Sequence, residues 1–146
     1  MRIPAVPSRT VLITGCSSGI GAATAEALAR TDGALGALVN NAGYCQAGAL
    51  EDVSREALRA QFETNVFGLH QLTRALLPAF RRQGCGRIVH VGSVLGRLAT
   101  PMVGSYCASK FALEALADAL RIELLGYGIW VALIEPGAIL SRFRKN

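Results

Sequence analysis

The chain carries few of the features that mark metal-bound, secreted or membrane proteins. Its four cysteines, Cys16, Cys45, Cys85 and Cys107, lie far apart among 146 residues. No pair has metal-ligand or redox spacing, which excludes a zinc framework and a disulfide scaffold. Reduced thiols in the cytoplasm are the expectation, with no metal. No apolar run reaches the roughly 18 residues of a membrane span. The longest, residues 128–140, is interrupted by Glu135 and Pro136 and reads as a buried strand entering a turn. The first ten residues, MRIPAVPSRT, lack the apolar stretch of a secretory signal and read as a lead-in to a strand. Internal repeats, low-complexity tracts and linkers are absent. Basic residues outnumber acidic ones, 15 to 10, for a net charge of +5. They gather only weakly, at Arg81 and Arg82 and at Arg142, Arg144 and Lys145, with Phe143 the single aromatic interleaved. That describes a solvated face, and no nucleic-acid partner is expected.

What is present is a core and a periodicity. Hydrophobic residues make up 51% of the chain, enough to build one domain over residues 1–146. Residues 10–14 (TVLIT) read as a buried parallel strand entering a glycine-rich turn, and residues 20–30 as a helix. Residues 37–41 (ALVNN), 87–91 (RIVHV) and 129–134 (IWVALI) read as three more strands. A long amphipathic helix is predicted over 54–82, capped by Ser54. Its apolar stripe is Leu58, Phe62, Val66, Leu69, Leu72, Leu76 and Phe80, and Pro78 is placed to kink or end it. A second is predicted over 106–125, with Phe111, Leu113, Leu116, Leu120 and Leu124 inward. Alternation of this kind predicts an α/β fold: a Rossmann-like parallel sheet with flanking helices, here about four strands. His70 reads as a satisfied helix-face histidine, His90 as structural, Cys107 as packing and Trp130 as core.

Two constellations carry chemistry. Gly15, Gly19 and Gly21 punctuate the turn between the first strand and the first helix. Glycines there let backbone amides at a helix start approach a pyrophosphate, and Ser17 and Ser18 add donors. Tyr106 and Lys110 are four apart on a helix and share a face. An ammonium beside a phenol is expected to lower its pKa and make it a usable acid/base. Ser93, just beyond a strand, can donate a hydrogen bond to developing oxyanion charge.

Taken together, TGCSSGIG at 14–21, NNAG at 40–43, NVFG at 65–68, GSV at 92–94, YCASK at 106–110 and EPGAILSRF at 135–143 resemble the short-chain dehydrogenase/reductase family. The resemblance covers nearly every residue after Arg9. It implies an oxidoreductase that moves hydride between NAD or NADP and an alcohol or ketone. Tyr106 would be the general acid/base, Lys110 would lower its pKa and hold the nicotinamide ribose, and Ser93 would orient the substrate oxygen. Asn65 would hold a water in a proton relay. Gly15, Ser17, Ser18, Gly19, Ile20 and Gly21 would cradle the cofactor phosphates. Asn41, Ala42 and Gly43 would line the cofactor groove, and Pro136, Gly137 and Ile139 its nicotinamide end. Ser141 stands where the family often has threonine. The stretches around NNAGYCQAG and SYCASKFALEAL resemble the hydroxysteroid and retinol dehydrogenase subgroup, which points to a lipophilic alcohol or ketone and leaves small-molecule carbonyls of other kinds open. The two long helices resemble those the family uses to pair subunits, which implies a homo-oligomer.

The chain also departs from the family. Only nineteen positions separate Gly21 from Asn40, room for one helix and one strand. The family places two further strands with their helices in this interval, and a last strand and substrate cover after the EPG turn. The expectation is therefore an internally deleted, C-terminally truncated member, with strands 10–14, 37–41, 87–91 and 129–134 adjacent in that order. Helix 20–30 would then either make a left-handed crossover or leave one sheet face bare. The residue that separates NAD from NADP has no counterpart. Three readings follow: an active nicotinamide-dependent oxidoreductase, a catalytically inactive remnant that at most binds nucleotide, and a dimerisation module built on the two long helices.

Overall fold

A computed structural model describes residues 10–15 and 35–139. Strands β1 (Thr10–Ile13), β2 (Leu35–Asn40), β3 (Gly86–Val91) and β4 (Ile129–Ile134) form one sheet in the order β1-β2-β3-β4, every pair parallel. Both the strand number and the spatial order are those expected. Helix 20–30, its crossover, and Ser17, Ser18, Gly19, Ile20, Gly21 and Ser141 lie outside the described residues.

Parallel strands need long return connections. The return from β2 to β3 is made by α1 (Arg55–Phe62), a π-helical turn (Glu63–Gly68) and α2 (Leu69–Gln83). The return from β3 to β4 is made by α3 (Gly104–Glu123). Ser54 caps α1, its Oγ accepting from the Ala57 N–H at 3.1 Å. α2 stops at Gly84, whose φ of 67° is left-handed, a conformation that glycine adopts without Cβ strain. Pro78 sits on the exposed side of α2 without ending it.

α2 packs on β2 and β3, and α3 on β4. Between them lies the core: Leu38, Phe80, Ile88, Ala117, Leu124, Ile129 and Val131. Gly86 is glycine for a packing reason, because a Cβ there would collide with the Phe80 ring. Burying that ring stabilises the layer by about 2–3 kcal/mol. No helix of the described residues is long and apolar enough to cross a membrane.

Four expectations need correction. The helix predicted over 54–82 is interrupted by the π-helical turn, where Asn65 is pulled toward the loop after β2. β1 is parallel but not buried, because it is the outer strand; Leu12, in register with Leu38, stays exposed. Phe111 points outward, since it lies two residues, roughly 200° of helix, from the inward Leu113. Trp130 alternates with Ile129 and Val131, so it sits half-buried on the sheet face away from α2 and α3.

Candidate active site

Every strand of a parallel sheet ends at the same edge, and here that edge gathers the candidate residues. Gly15 follows β1, Asn41 to Gly43 follow β2, Ser93 follows β3, and Pro136, Gly137 and Ile139 follow β4. α3 brings Tyr106 and Lys110 to the same end. Asn65 arrives from the π-helical turn, a distortion that recurs at functional sites.

The ends of β1 and β2 are locked together. Thr14 Oγ1 accepts from the backbone N–H groups of Asn41 and Ala42 at 3.1 and 3.0 Å. Asn41 Nδ2 donates back to the carbonyls of Thr14 and Gly15 at 3.1 and 2.9 Å. Gly15 has a φ of 67°, and a Cβ there would lie 2.7 Å from Ala42 Cα, so only glycine fits. Gly43 has a different reason to be bare. A Cβ on it would stand 3.2 Å from Asn65 Oδ1 and 3.8 Å from Lys110 Nζ, closing the space above the lysine.

Asn65, Ser93, Tyr106 and Lys110 are all buried. Lys110 Nζ donates to the Val91 carbonyl at 2.8 Å and lies 5.6 Å from the centroid of the Tyr106 ring. Ser93 Oγ accepts from the Leu95 N–H at 3.1 Å and hydrogen-bonds to Tyr106. Asn65 is a brace. Its Oδ1 accepts from Tyr44 N at 3.1 Å, and its Nδ2 donates to the Tyr44 carbonyl at 3.0 Å and to Ser109 Oγ at 3.1 Å. Ser109 in turn donates to the Tyr106 carbonyl at 2.7 Å. Both amide protons of Asn65 are thus used, so they are not available to hold a relay water.

Burial raises the Tyr106 phenol above its ordinary pKa of 10, Cys45 and Cys107 add to the rise, and the Ser93 hydrogen bond opposes it only in part. The charge of Lys110 is itself disfavoured by depth. Burial pulls the ammonium down to about 8, with Glu114 working the other way. At neutral pH the site therefore holds a protonated phenol beside a buried ammonium.

A sequence model described as short chain dehydrogenase matches residues 29–146. The chain is 41% identical to the uncharacterized oxidoreductase YbbO of Escherichia coli K12 over 187 aligned positions, covering 97% of this chain and 70% of that one. The chain belongs to the short-chain dehydrogenase family. It is also 34% identical to human retinol dehydrogenase 8 over 191 positions, covering 95% of this chain and 61% of that one. The structure of a short chain dehydrogenase from Burkholderia cenocepacia J2315 in complex with NADP is similar at a TM-score of 0.85 and 28% identity, covering 95% of this chain and 76% of that one. Both sequence alignments are longer than the 146 residues of this short-chain dehydrogenase, so segments of those relatives have no counterpart in it.

Other polar residues shape this end of the dehydrogenase without having been singled out in its sequence. Gln61 is fully buried; its Oε1 accepts from Gln46 N at 2.7 Å and its Nε2 donates to the Tyr44 carbonyl at 2.8 Å. It precedes Asn65 by four residues, and two amides on one helix face beside an apolar stripe were the available signal. Asn40 Nδ2 donates to Thr73 Oγ1 at 2.9 Å and approaches His90 Nδ1 at 3.2 Å. Since Thr73 spends its own proton on the Leu69 carbonyl, His90 Nδ1 is an acceptor and its ring proton sits on Nε2. His90 is structural, as expected. Gly137 leaves open space where its Cβ would be, and Ile139 is exposed.

Proposed function

We propose that the chain is a nicotinamide-dependent oxidoreductase acting on an alcohol or ketone, with Tyr106 as its acid/base. The observation that carries this reading is the convergence of buried Ser93, Tyr106 and Lys110 at the carboxyl ends of the parallel strands. Lys110 suits a nicotinamide ribose, because it spends one of its three donors on Val91 and leaves two for ribose hydroxyls. The similarity to a structure in complex with NADP supports NAD or NADP as the cofactor. Asn41, Ala42, Gly43, Pro136, Gly137 and Ile139 would line the cofactor groove, with the phosphates toward Gly15.

The bound cofactor supplies or accepts the hydride. The protein's part is proton transfer and orientation. In the reducing direction Tyr106 gives its phenolic proton to the carbonyl oxygen as that oxygen gains charge, and Ser93 holds the same oxygen by a hydrogen bond. A phenol raised by burial is in its acid form at neutral pH, the form that donates in the reducing direction. Asn65 positions the site by tying the loop after β2 to α3. Exposed Val94, Leu98 and Met102 on the connection between Ser93 and Tyr106 support a lipophilic substrate, as does the similarity to retinol dehydrogenase 8. An apolar groove between the π-helical turn and α3, lined by Phe62, Val66, Phe67, His70 and Leu116 among others, supports pairing of two copies through these helices.

The test is turnover of a panel of lipophilic ketones and aldehydes with NADH and NADPH, alongside nicotinamide fluorescence titration. Tyr106→Phe is expected to abolish turnover, a loss of at least about a hundredfold, with cofactor affinity nearly unchanged. Full activity in that variant would remove Tyr106 from the chemistry, and no saturable cofactor binding by the wild type would remove the functional reading.

A further inference from the structure

Arg97 has no part in the proton transfer proposed above, yet its side chain joins three pieces of the site. It follows the short 3-10 turn Val94–Gly96 that Ser93 opens. Its Nε and Nη2 donate to Glu135 Oε1 at 3.1 and 2.9 Å. The same Nη2 lies 2.9 Å from Glu114 Oε2. Glu135 joins β4 to Pro136 and Gly137, and Glu114 stands one helical turn past Lys110 on α3.

An exposed arginine pair is usually worth little, because water screens it and two long side chains must be held still. This one differs in its partner. The Glu114 side chain is buried, and its Oε1 has no hydrogen-bond partner among the described residues. Burial raises its carboxyl, as does Glu135, while Arg97 lowers it. A carboxylate so placed is costly unless something pairs with it. The backbone around it is fitted closely: a Cβ on Gly96 would lie 3.0 Å from Glu114 Oε1, and one on Gly92 would lie 3.2 Å from it. Backbone bonds already tie the Ser93 turn to β4, from Gly92 N to the Ile134 carbonyl at 2.8 Å and from Val94 N to the Pro136 carbonyl at 3.2 Å. The Arg97–Glu114 pair extends that tie to α3.

We propose that Arg97 is a positioning residue: through Glu114 and Glu135 it sets the turn bearing Ser93 against the helix bearing Tyr106, and so keeps the Ser93 hydroxyl on the Tyr106 phenol. This rests on the reading of Ser93 and Tyr106 as partners in one proton-transfer site. The Ser93 bond is what opposes the rise of the Tyr106 pKa, so loosening the turn lets the phenol rise further.

The test is the titration of Tyr106 in the full chain, followed by NMR of carbon-labelled tyrosine and assigned by the resonance lost in Tyr106→Phe. Arg97→Ala is expected to move the titration upward by roughly 0.5–1 unit, the size of one modest hydrogen bond. Ser93→Ala should do the same, and the double variant should go no further than Ser93→Ala alone. An equal Arg97→Ala shift in both backgrounds would mean that the guanidinium acts on the phenol directly by charge, and no shift would mean that the turn holds without it; either overturns the proposal. Should Arg97→Ala fail to fold, Glu135→Gln cuts one arm of the clamp and is read the same way. Arg97→Lys keeps the charge but cannot reach both carboxylates in the same fork, so only partial rescue is expected. The titration needs no turnover, so a chain without activity would defeat the functional reading and leave this comparison intact. Where turnover is found, Arg97→Ala should lower kcat roughly tenfold with the cofactor KM unchanged.

Discussion

Lys110 is the place where the proposed activity and stability pull hardest against each other. Its side chain is 4% exposed, its ammonium donates to the Val91 carbonyl at 2.8 Å, and burial brings its pKa from 10.5 to about 8. A displacement of about 2.5 units costs about 3 kcal/mol at neutral pH, because the unfolded chain keeps a proton that the folded chain holds weakly. That is a large share of the 5–15 kcal/mol by which domains are normally stable. The sign follows from the order of the two pKa values. Between about pH 8 and 10.5 the unfolded chain binds more protons, so stability rises with pH across that window. Lys110→Met keeps most of the stem's volume and removes the charge, but it leaves the Val91 carbonyl unpaired at a cost of about 1 kcal/mol. The net expectation at neutral pH is a gain of about 2 kcal/mol, roughly 6 °C in Tm, together with loss of any turnover. Urea unfolding of both proteins across this pH range measures it. A Lys110→Met variant less stable than the wild type, or two stability profiles rising in parallel, would refute the reasoning.

Two further outcomes are expected. Burial, then Lys110 and Arg121, lower His90 to about 4, so the unfolded chain takes up its proton near 6.5 while the folded chain does not until about 4. Stability should therefore fall as pH drops through that window, by about 3 kcal/mol, and His90→Gln should flatten this slope; an equally steep acid slope in the variant would count against it. Phe67 is 51% exposed on the rim of the apolar groove, so Phe67→Glu should shift sedimentation toward monomer, and a wild type that sediments as monomer would exclude pairing through this face.

The sequence by itself determined the number, order and direction of the strands. Short apolar runs separated by amphipathic segments leave a parallel sheet as the consistent solution, and the motifs in family order set which strands lie side by side. The family resemblance of its motifs also pointed to Ser93, Tyr106 and Lys110 as a candidate set, which a four-residue helical spacing alone does not single out. Tertiary structure decided what periodicity cannot carry. The break at Glu63–Gly68 depends on Asn65 reaching Tyr44, a contact made only once the loop after β2 folds over the helix. The exposure of Leu12 follows β1 being the outer strand, which no alternation pattern records. Depth, too, belongs to the fold: burial acts on both members of the pair, raising Tyr106 and lowering Lys110, which spacing does not record. The Arg97 clamp also required the fold, because Arg97, Glu114 and Glu135 are separated by 17 and 21 residues in sequence and meet only where the ends of β3 and β4 lie beside α3.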